Sequence, residues 1–476
     1  MVKQNTNSLR YNLLIIAIYT STRLPFLEAG FGTDGDAWRI IENGLNFSMN
    51  YEYKWSRFPG YPLYEILIYL LVFKGPVITN LVSAISGLFC LIIFKMIIEN
   101  SLSIDQKKST LITLLFCFTP VVWIASTITM DYLFAELLLL LAWYLLGSTK
   151  HKYISGLFLG LAIGARPSNI IFVVPMMVGL FLIELKNNSS YARIVKNLGL
   201  YLIIFSIVTS LVMMPVFIKY GFISLISLSS GVFSNNQSIM LIGYNLIKVS
   251  GIIGSFTFAA IFILIIFHHK SEKKVSEFIN DPNLHISLLG LLFNIILFIF
   301  SPYESFYLIP AIPFILFCLA YAIRNIYWLS INYYISFLLS ILILSNFIDL
   351  KIWARDNAGK NSLVKPYIGD GVLIADYNMR KALFSESEFI FKTGNFKIPC
   401  LIMTGWHFPI IRTYRKYYME DKDCDCEIVQ LLDKNSLIKY IEDDVNIYFT
   451  NGVENQINQI HKYSLNDFNN LNHIKY

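Results

Sequence analysis

Long apolar segments alternate with short polar loops through the first 350 residues of the chain. A helix needs about 20 mostly apolar residues to cross the hydrocarbon core of a bilayer, which is roughly 30 Å thick. Segments of about that length recur often enough to predict a protein with many spans. The single spans are predicted at 11–27, 76–98, 110–127, 130–147, 196–218, 245–267, 284–300, 305–323 and 328–349.

Two further apolar stretches do not fit one straight span each. Residues 154–185 are too long and are interrupted at Ala165-Arg166-Pro167. Because proline disrupts a helix, we predict two short helices that meet near Arg166, which brings the total to about eleven. Residues 62–73 are too short to cross, so we predict a helix that lies at the outer face or dips into it.

The segment 351–476 has a different pattern, with the charge density of a water-soluble domain. Short β-rich runs alternate there with helical patterns, which predicts a small α/β domain with a mainly parallel sheet. The fold class is therefore a mainly α, polytopic helical membrane protein, with domains at 1–350 and 351–476. The runs are 370–376, 399–406 and 445–451, and the helical patterns are 378–385, 408–419 and 429–441.

Composition supports the membrane assignment. Of 476 residues, 55% are hydrophobic and 15% charged, and the mean hydropathy is +0.55. Soluble proteins carry about 25% charged residues. An ordinary cytosolic enzyme, a disordered chain and a nucleic-acid binder are therefore excluded. The net charge of +6 does not alter this, since basic residues in such chains mark cytoplasmic loops.

The basic residues of the short loops set the orientation. With eleven spans and a cytoplasmic N-terminus, they all lie on the cytoplasmic side. We therefore predict a multi-pass plasma-membrane protein whose 351–476 domain is extracytoplasmic. The residues are Lys3, Arg10, Lys107, Lys108, Lys150, Lys152, Lys186, Arg193, Lys196, Lys270, Lys273, Lys274 and Arg324.

The 351–476 segment contains three cysteines and a basic aromatic stretch. If it faces an oxidising space, one disulfide can join Cys400 to Cys424 or Cys426. A Cys-Asp-Cys without further ligands is a weak zinc signal. We expect the basic aromatic face to be solvated, with contact to anionic lipid or glycan as the alternative. That face comprises Arg412, Tyr414, Arg415, Lys416, Tyr417 and Tyr418.

The first external loop, 28–61, is the most polar loop of the membrane part, and its core is Thr33-Asp34-Gly35-Asp36-Ala37-Trp38-Arg39. Two carboxylates beside a glycine could supply a general base or hold a divalent cation such as Mg²⁺ or Mn²⁺. The alternative is a turn that caps a helix beginning near Ala37.

Arg57 lies near the end of the same loop, before the sequence Phe58-Pro59-Gly60-Tyr61-Pro62. A rigid turn there would fix its guanidinium at the bilayer surface, where it can bind a lipid phosphate through two hydrogen bonds. The alternative for Arg57 is an interfacial anchor beside Trp55 and Tyr61.

This arrangement of an aspartate-containing loop after span one and a proline-rich re-entry resembles the GT-C superfamily of membrane glycosyltransferases. Three further segments are similar to that family, and the resemblance covers most of residues 10–350. They are Pro120 to Asp131 (PVVWIASTITMD), Gly160 to Pro167 (GLAIGARP) and Ser301 to Pro313 (SPYESFYLIPAIP).

The resemblance implies a loop-one acid at Asp34 or Asp36 that deprotonates the acceptor, with a polyprenyl-phosphate sugar as donor. We favour Asp36 because it directly precedes the predicted helix start, and Trp38 and Arg39 beside it are candidates for substrate binding. Members often write this site Asp-Glu, whereas this chain has Asp-Gly-Asp.

Two charged residues elsewhere are further candidates. Some members carry an arginine after the late-turn glutamate, but Glu304 is followed by Ser-Phe-Tyr, so Arg57 and Arg166 are the candidates for the donor phosphate. Arg166 could instead form a structural ion pair with Asp131 or Glu136. Glu304 could orient a substrate hydroxyl or be solvated.

The sequence thus predicts an inverting glycosyltransferase that acts on the outer face of the membrane. It would move a sugar from a polyprenyl-phosphate donor to a glycan, lipid or protein acceptor, in contact with membrane lipids and without nucleic acid. The alternatives are a transporter or flippase, or a polymerase or ligase, of lipid-linked saccharides. We find no internal repeat, which a transporter would tend to show.

Overall fold

A computed structural model describes most of the chain. Lys150, Lys270, Lys273, Lys274, Cys424 and most of the helix predicted at 429–441 lie outside the described residues. Those residues are 2–147, 152–221, 239–268, 281–324, 329–351, 367–393, 396, 398–419, 426–430, 440, 443, 445–450, 453 and 471–474.

Helices make up most of the described chain. Their bounds are Val2–Arg23, Gly35–Asn50, Pro62–Tyr69, Gly75–Leu102, Gln106–Phe118, Pro120–Ala125, Tyr132–Leu146, Ile154–Ala165, Val173–Lys186, Tyr191–Tyr220, Ile239–Lys248, Gly251–His268, Pro282–Phe300, Ala311–Ile323, Leu329–Phe347, Val372–Thr393 and Phe408–Tyr418.

Among the described residues, four helices are long and apolar enough to cross a membrane, or five if one bent pair counts as a span. The predicted total of eleven is not confirmed, because several apolar stretches form helices of only 10–17 residues. At 1.5 Å per residue such helices are shorter than the hydrocarbon core. The four long helices are Val72–Leu102, Pro167–Lys186, Tyr191–Tyr220 and Pro282–Phe300.

Breaks within the apolar stretches have local causes. The predicted interruption at Arg166 is confirmed, since Arg166 is extended and Pro167 begins a 3-10 turn. The span predicted at 245–267 is instead a pair of helices bent by 88°. Gly251 has a φ of +76° at the bend, and Asp349 accepts hydrogen bonds from the backbone N–H groups of Ile252 and Ile253.

The chain forms two compact units. The first comprises residues 1–27, 59–64 and 80–376, and the second 28–58, 65–79 and 377–476. Their division differs from a cut at residue 350, because loop one belongs to the same unit as the C-terminal segment. The predicted membrane and extracytoplasmic domains rest on charge density and stay a prediction.

Strand β1 (Ile348–Lys351) pairs antiparallel with β2 (Tyr367–Asp370). Strands β3 (Cys400–Met403), β4 (Cys426–Val429), β5 (Asn446–Thr450) and β6 (Leu471–Ile474) form a parallel sheet in the order β4-β3-β5-β6. Every residue of β3 is buried, as expected for an inner strand of a covered sheet. The mainly parallel sheet is confirmed, and the sequence patterns missed β4 and β6.

The strand predicted at 370–376 is wrong. Only Asp370 belongs to a strand, and Val372 begins the helix that continues to Thr393. Gly371 separates them, and a side chain there would lie 2.3 Å from the backbone of Asn346. Periodicity alone cannot distinguish a short apolar run in a strand from the first turns of a helix.

Candidate active site

The loop-one helix, Gly35–Asn50, begins where the sequence places its two aspartates. Asp34 is the N-cap, and its Oδ1 accepts a hydrogen bond from the backbone N–H of Asp36 at 3.0 Å. The predicted capping turn is therefore present, and the helix begins two residues before Ala37. Asp36 lies in the first turn, so the two carboxylates have different surroundings.

Asp36 lies between two guanidinium groups of the second compact unit. Arg39 Nη1 is 2.8 Å from Asp36 Oδ1, and Arg57 Nη1 is 3.4 Å from Asp36 Oδ2. The Asp36 side chain is 18% exposed, that of Arg57 13% and that of Arg39 46%. The structure thus brings together three of the residues that the sequence singled out.

Burial raises the pKa of Asp36 above the ordinary value for an aspartate. The positive charge of Arg57 acts in the opposite direction, the charge of Asp34 raises the pKa further, and Arg39 lowers it. Desolvation disfavours the charged form of a carboxyl group, whereas a nearby cation favours it. A carboxylate with a raised pKa is a stronger base, which suits proton abstraction.

Glu65 fixes the segment that carries Arg57. This fully buried carboxylate accepts hydrogen bonds from the Ser56 backbone N–H at 2.7 Å, the Ser56 hydroxyl at 2.6 Å and the Tyr53 hydroxyl. Arg57 follows Ser56 directly, so these bonds limit where its guanidinium can lie. The sequence patterns did not reveal this function, although an acid within the apolar helix Pro62–Tyr69 was a visible signal.

Trp38 has a packing function in the described conformation. Its side chain is 1% exposed, its indole N–H donates to the Gly32 carbonyl at 2.9 Å, and its ring lies 5.1 Å from that of Phe31. The contact with substrate predicted for Trp38 would require movement of this core. Arg39, on the next position of the helix, is half-exposed.

Arg166 forms the predicted ion pair in the first compact unit, with Asp131. Arg166 Nη1 lies 3.0 Å from Asp131 Oδ2, and both residues are buried. The guanidinium carbon lies 4.4 Å from the centroid of the Tyr132 ring and 5.2 Å from that of Tyr307. Of the two partners suggested by the sequence, Asp131 is therefore the one in contact.

Glu304 belongs to the same group of side chains. Its Oε2 accepts a hydrogen bond from the Tyr132 hydroxyl at 2.7 Å, and the Tyr132 ring stacks on that of Phe306. Glu136 is buried one helical turn beyond Tyr132, and neither of its carboxylate oxygens has a hydrogen-bond partner among the described residues.

The basic aromatic face of 412–418 is partly exposed, as expected, with Lys416 and Tyr418 the most exposed, but its cations also have partners within the second unit. Arg412 forms an ion pair with Glu42, and Lys416 donates to Asn46 at 2.8 Å. Arg415 donates to the Cys426 carbonyl. The apolar positions of this helix pack inward. The helix is therefore amphipathic, and its polar side chains have partners within the unit.

A divalent cation does not fit the residues around Asp34 and Asp36. Both oxygens of Asp36 face guanidinium groups, and Asp34 Oδ1 accepts a backbone N–H. Hard cations such as Mg²⁺ bind through oxygen ligands, and the guanidinium groups that contact Asp36 would repel a cation there. Within the described part of the chain, no group of three or more His, Cys, Asp or Glu side chains could hold a metal ion.

A disulfide joins Cys400 to Cys426. The two residues lie opposite each other in the register of β3 and β4. The bridge is therefore one of the two that the sequence left open.

Comparison with solved structures finds ArnT from Cupriavidus metallidurans. Its apo form aligns with a TM-score of 0.54 and 13% identity over 94% of this chain and 90% of that chain. The form bound to undecaprenyl phosphate aligns with a TM-score of 0.48 and 16% identity, over 66% of this chain and 60% of that chain. No protein-family model and no curated protein matches. The likeness to the apo form shows that this chain shares the fold of ArnT.

Proposed function

We propose that the protein is an inverting membrane glycosyltransferase that moves a sugar from a polyprenyl-phosphate donor to an acceptor, with Asp36 as general base. One observation carries the proposal: a carboxylate with a raised pKa lies between two guanidinium groups in a chain that shares the fold of ArnT. That combination supplies a proton acceptor and the positive charge that a phosphate leaving group needs.

In the proposed reaction, Asp36 removes the proton from an acceptor hydroxyl or amide as the acceptor atom attacks the anomeric carbon. The bond between that carbon and the phosphate oxygen breaks, and its electron pair leaves with the polyprenyl phosphate. A single displacement from the opposite face inverts the anomeric centre. The products are the glycosylated acceptor, the polyprenyl phosphate and a proton held on Asp36.

Arg57 is the proposed contact for the donor phosphate, with Arg39 beside it. A phosphate offers several oxygens to a guanidinium and competes with a carboxylate that is 3.4 Å away. When Arg57 turns to the phosphate, Asp36 loses the positive charge that lowers its pKa most, so its pKa rises and it becomes more basic. Donor binding would thereby prepare the base before the acceptor arrives.

Arg166 and Glu304 have a different place in the proposal. Arg166 is held by Asp131 and two aromatic rings, which leaves it less free to move toward a phosphate. We assign it to the organisation of the first unit, together with Glu304 and Tyr132.

Our proposal locates the reaction on the outer face of the membrane. The Cys400–Cys426 disulfide supports this placement, because disulfides persist in oxidising compartments and are rare in the cytosol. Loop one lies in the same compact unit as that disulfide. The acceptor can be a glycan, a lipid or a protein.

The test measures release of free polyprenyl phosphate by the purified full-length protein. A panel of polyprenyl-phosphate monosaccharides is offered with an acceptor extract, with and without chelator. We expect Asp36→Asn to lower kcat about 100- to 10,000-fold, the range for loss of a general base. Asp34→Asn should lose less than about threefold, because asparagine caps a helix as well as aspartate does.

Asp34→Asn and Asp36→Asn make the same chemical change at the two positions, so comparing them distinguishes the functions of the two aspartates. Equal losses in both, or a larger loss in Asp34→Asn, would contradict the assignment of the base to Asp36. The proposed reaction uses no metal ion, so loss of activity on addition of chelator would contradict it. If the folded wild-type protein releases nothing from any donor, transport or transfer of a whole saccharide becomes the better explanation.

A further inference from the structure

The second compact unit contains a contact between helices that are far apart in the chain. The loop-one helix, Gly35–Asn50, packs against the helix Phe408–Tyr418, hereafter the clamp helix. The sequence separation of the main ion pair across this contact is 370 residues. Asp34 and Asp36 lie at the start of the loop-one helix, so contacts that position this helix also position the two aspartates.

The ion pair joins Arg412 to Glu42. The Glu42 side chain is only 8% exposed, and its Oε2 accepts from Arg412 Nη2. Lys416 Nζ lies 3.7 Å from the other oxygen of Glu42. Two cations therefore hold one buried carboxylate, and loss of Arg412 would leave that carboxylate poorly compensated.

The contact continues along the helix to the aspartates themselves. Thr413 Oγ1 donates to the Trp38 carbonyl at 3.3 Å. A Cβ at Gly35 would lie 3.1 Å from Pro409, so the clamp helix touches the backbone between Asp34 and Asp36. Contacts thus extend from Lys416 opposite Asn46 to Pro409 opposite Gly35.

We propose that Arg412 is a positioning residue for Asp36, acting through Glu42 and the loop-one helix. This inference rests on the proposed function, since it assumes that Asp36 is the base. Glu42 lies six residues after Asp36, about 9 Å along a helix at 1.5 Å per residue. A helix is stiff over that length, so a shift at Glu42 moves Asp36 relative to its substrate.

A positioning function and a purely stabilising function of Arg412 predict different experimental results. A displaced base slows the chemical step, and a displacement of about 1 Å can cost on the order of 100-fold. The donor phosphate contact at Arg57 is held separately by the Glu65 network, so donor KM should change little. A residue that only stabilises the fold would lower the melting temperature without changing kcat of the folded fraction.

The experiment compares Arg412→Met with Arg412→Lys and Arg415→Met in the full-length protein. Arg415 lies on the clamp helix but donates to the Cys426 carbonyl, so it is a matched control. Transfer kinetics are measured with the donor panel, and amide hydrogen exchange is measured over residues 35–50. Glu42→Gln repeats the test from the other side, and also serves if Arg412→Met does not fold.

We expect Arg412→Met to lower kcat about 10- to 100-fold, with donor KM within about twofold. Exchange over residues 35–50 should rise in the same variant. Arg412→Lys should recover most of both, because its cation can still reach Glu42, and Arg415→Met should match the wild type.

Three outcomes would overturn the inference. One is unchanged exchange and kcat in both Arg412→Met and Glu42→Gln. Another is an equal loss in Arg412→Met and Arg415→Met, which would show general weakening of the clamp helix. The third is a wild-type protein that transfers no sugar, which defeats the catalytic assignment even if exchange shows that the helices are joined.

Discussion

The Arg166–Asp131 pair and the Arg57–Asp36 pair contain the same residue types in different surroundings. In the first compact unit, Arg166 and Asp131 are both buried, 3.0 Å apart, with two tyrosine rings against the guanidinium. In the second, Asp36 is partly exposed, and its contact with Arg57 is longer, at 3.4 Å. A short buried pair resists exchange of partners, whereas a longer pair near solvent can admit a ligand.

The difference indicates which group is suited to chemistry. Breaking the Arg166–Asp131 pair exposes buried charge without compensation, so its formation favours one fixed structure. The Asp36 pair keeps a carboxylate with a raised pKa beside a guanidinium for which a phosphate can compete. The sequence predicted both arginines as candidates for the donor phosphate, and our proposal assigns that contact to Arg57 because its pair with Asp36 is longer and more exposed.

The largest effect that would sharpen this comparison is on stability. Asp131→Asn should lower the free energy of unfolding by about 3–5 kcal/mol, because the Arg166 cation stays buried without its partner. Thermal unfolding of the purified protein checks this. Glu304→Gln is the control, since its amide oxygen can still accept from Tyr132. If Asp131→Asn were stable but inactive, the Arg166–Asp131 pair would take part in the reaction, and the contrast between a structural pair and a catalytic pair would be wrong.

The next effect concerns the pH dependence of transfer. If Asp36 is the base, as proposed, it acts when deprotonated, so transfer activity should fall as the pH drops through the pKa of Asp36. Arg57 lowers this pKa against the effect of burial, so Arg57→Met should raise it and move the acidic limb of kcat/KM to higher pH.

The measurement is a pH profile of kcat/KM for the wild type, Arg57→Met and Arg39→Met. Arg39 is more exposed, and solvent screens its charge, so its variant should shift the limb less. A shift to lower pH in Arg57→Met, or a larger shift in Arg39→Met, would contradict the environment described for Asp36.

A smaller effect is expected at Glu65. Glu65→Gln keeps the shape of the side chain but replaces one acceptor in the bonds to Ser56 and Tyr53, which should loosen the segment before Arg57. We expect donor KM to rise about tenfold, equivalent to ~1.4 kcal/mol, with kcat changed less. Donor titration under single-turnover conditions separates binding from chemistry. A fall in kcat alone would assign Glu65 to the chemical step.

Local features of the fold could be predicted from the sequence. The break at Arg166 followed from Pro167, and the cap at Asp34 from its residue type and the helix after it. The parallel sheet followed from alternating strand and helix patterns. The strand predicted at 370–376 was wrong because its apolar residues form the first turns of the helix that continues to Thr393.

Contacts between distant segments could not be predicted in the same way. Nothing in the local pattern pairs Glu42 with Arg412, since a charged residue on an amphipathic helix ordinarily faces water. Glu65 likewise looked like an isolated acid in an apolar helix, and only the fold shows that it holds Ser56. The number of spans is not confirmed, because apolar composition does not reveal where helices end and several apolar stretches form helices of only 10–17 residues.

The separation of 370 residues between Glu42 and Arg412 also has a consequence for biosynthesis. At about 5–20 residues per second, a ribosome needs on the order of 20–70 s to make the chain between them. During that interval the loop-one helix has been synthesised while its ion-pair partner does not yet exist. The Glu42 carboxylate therefore lacks its Arg412 partner until translation has reached the clamp helix, so this contact between the two helices forms late in the synthesis of the chain.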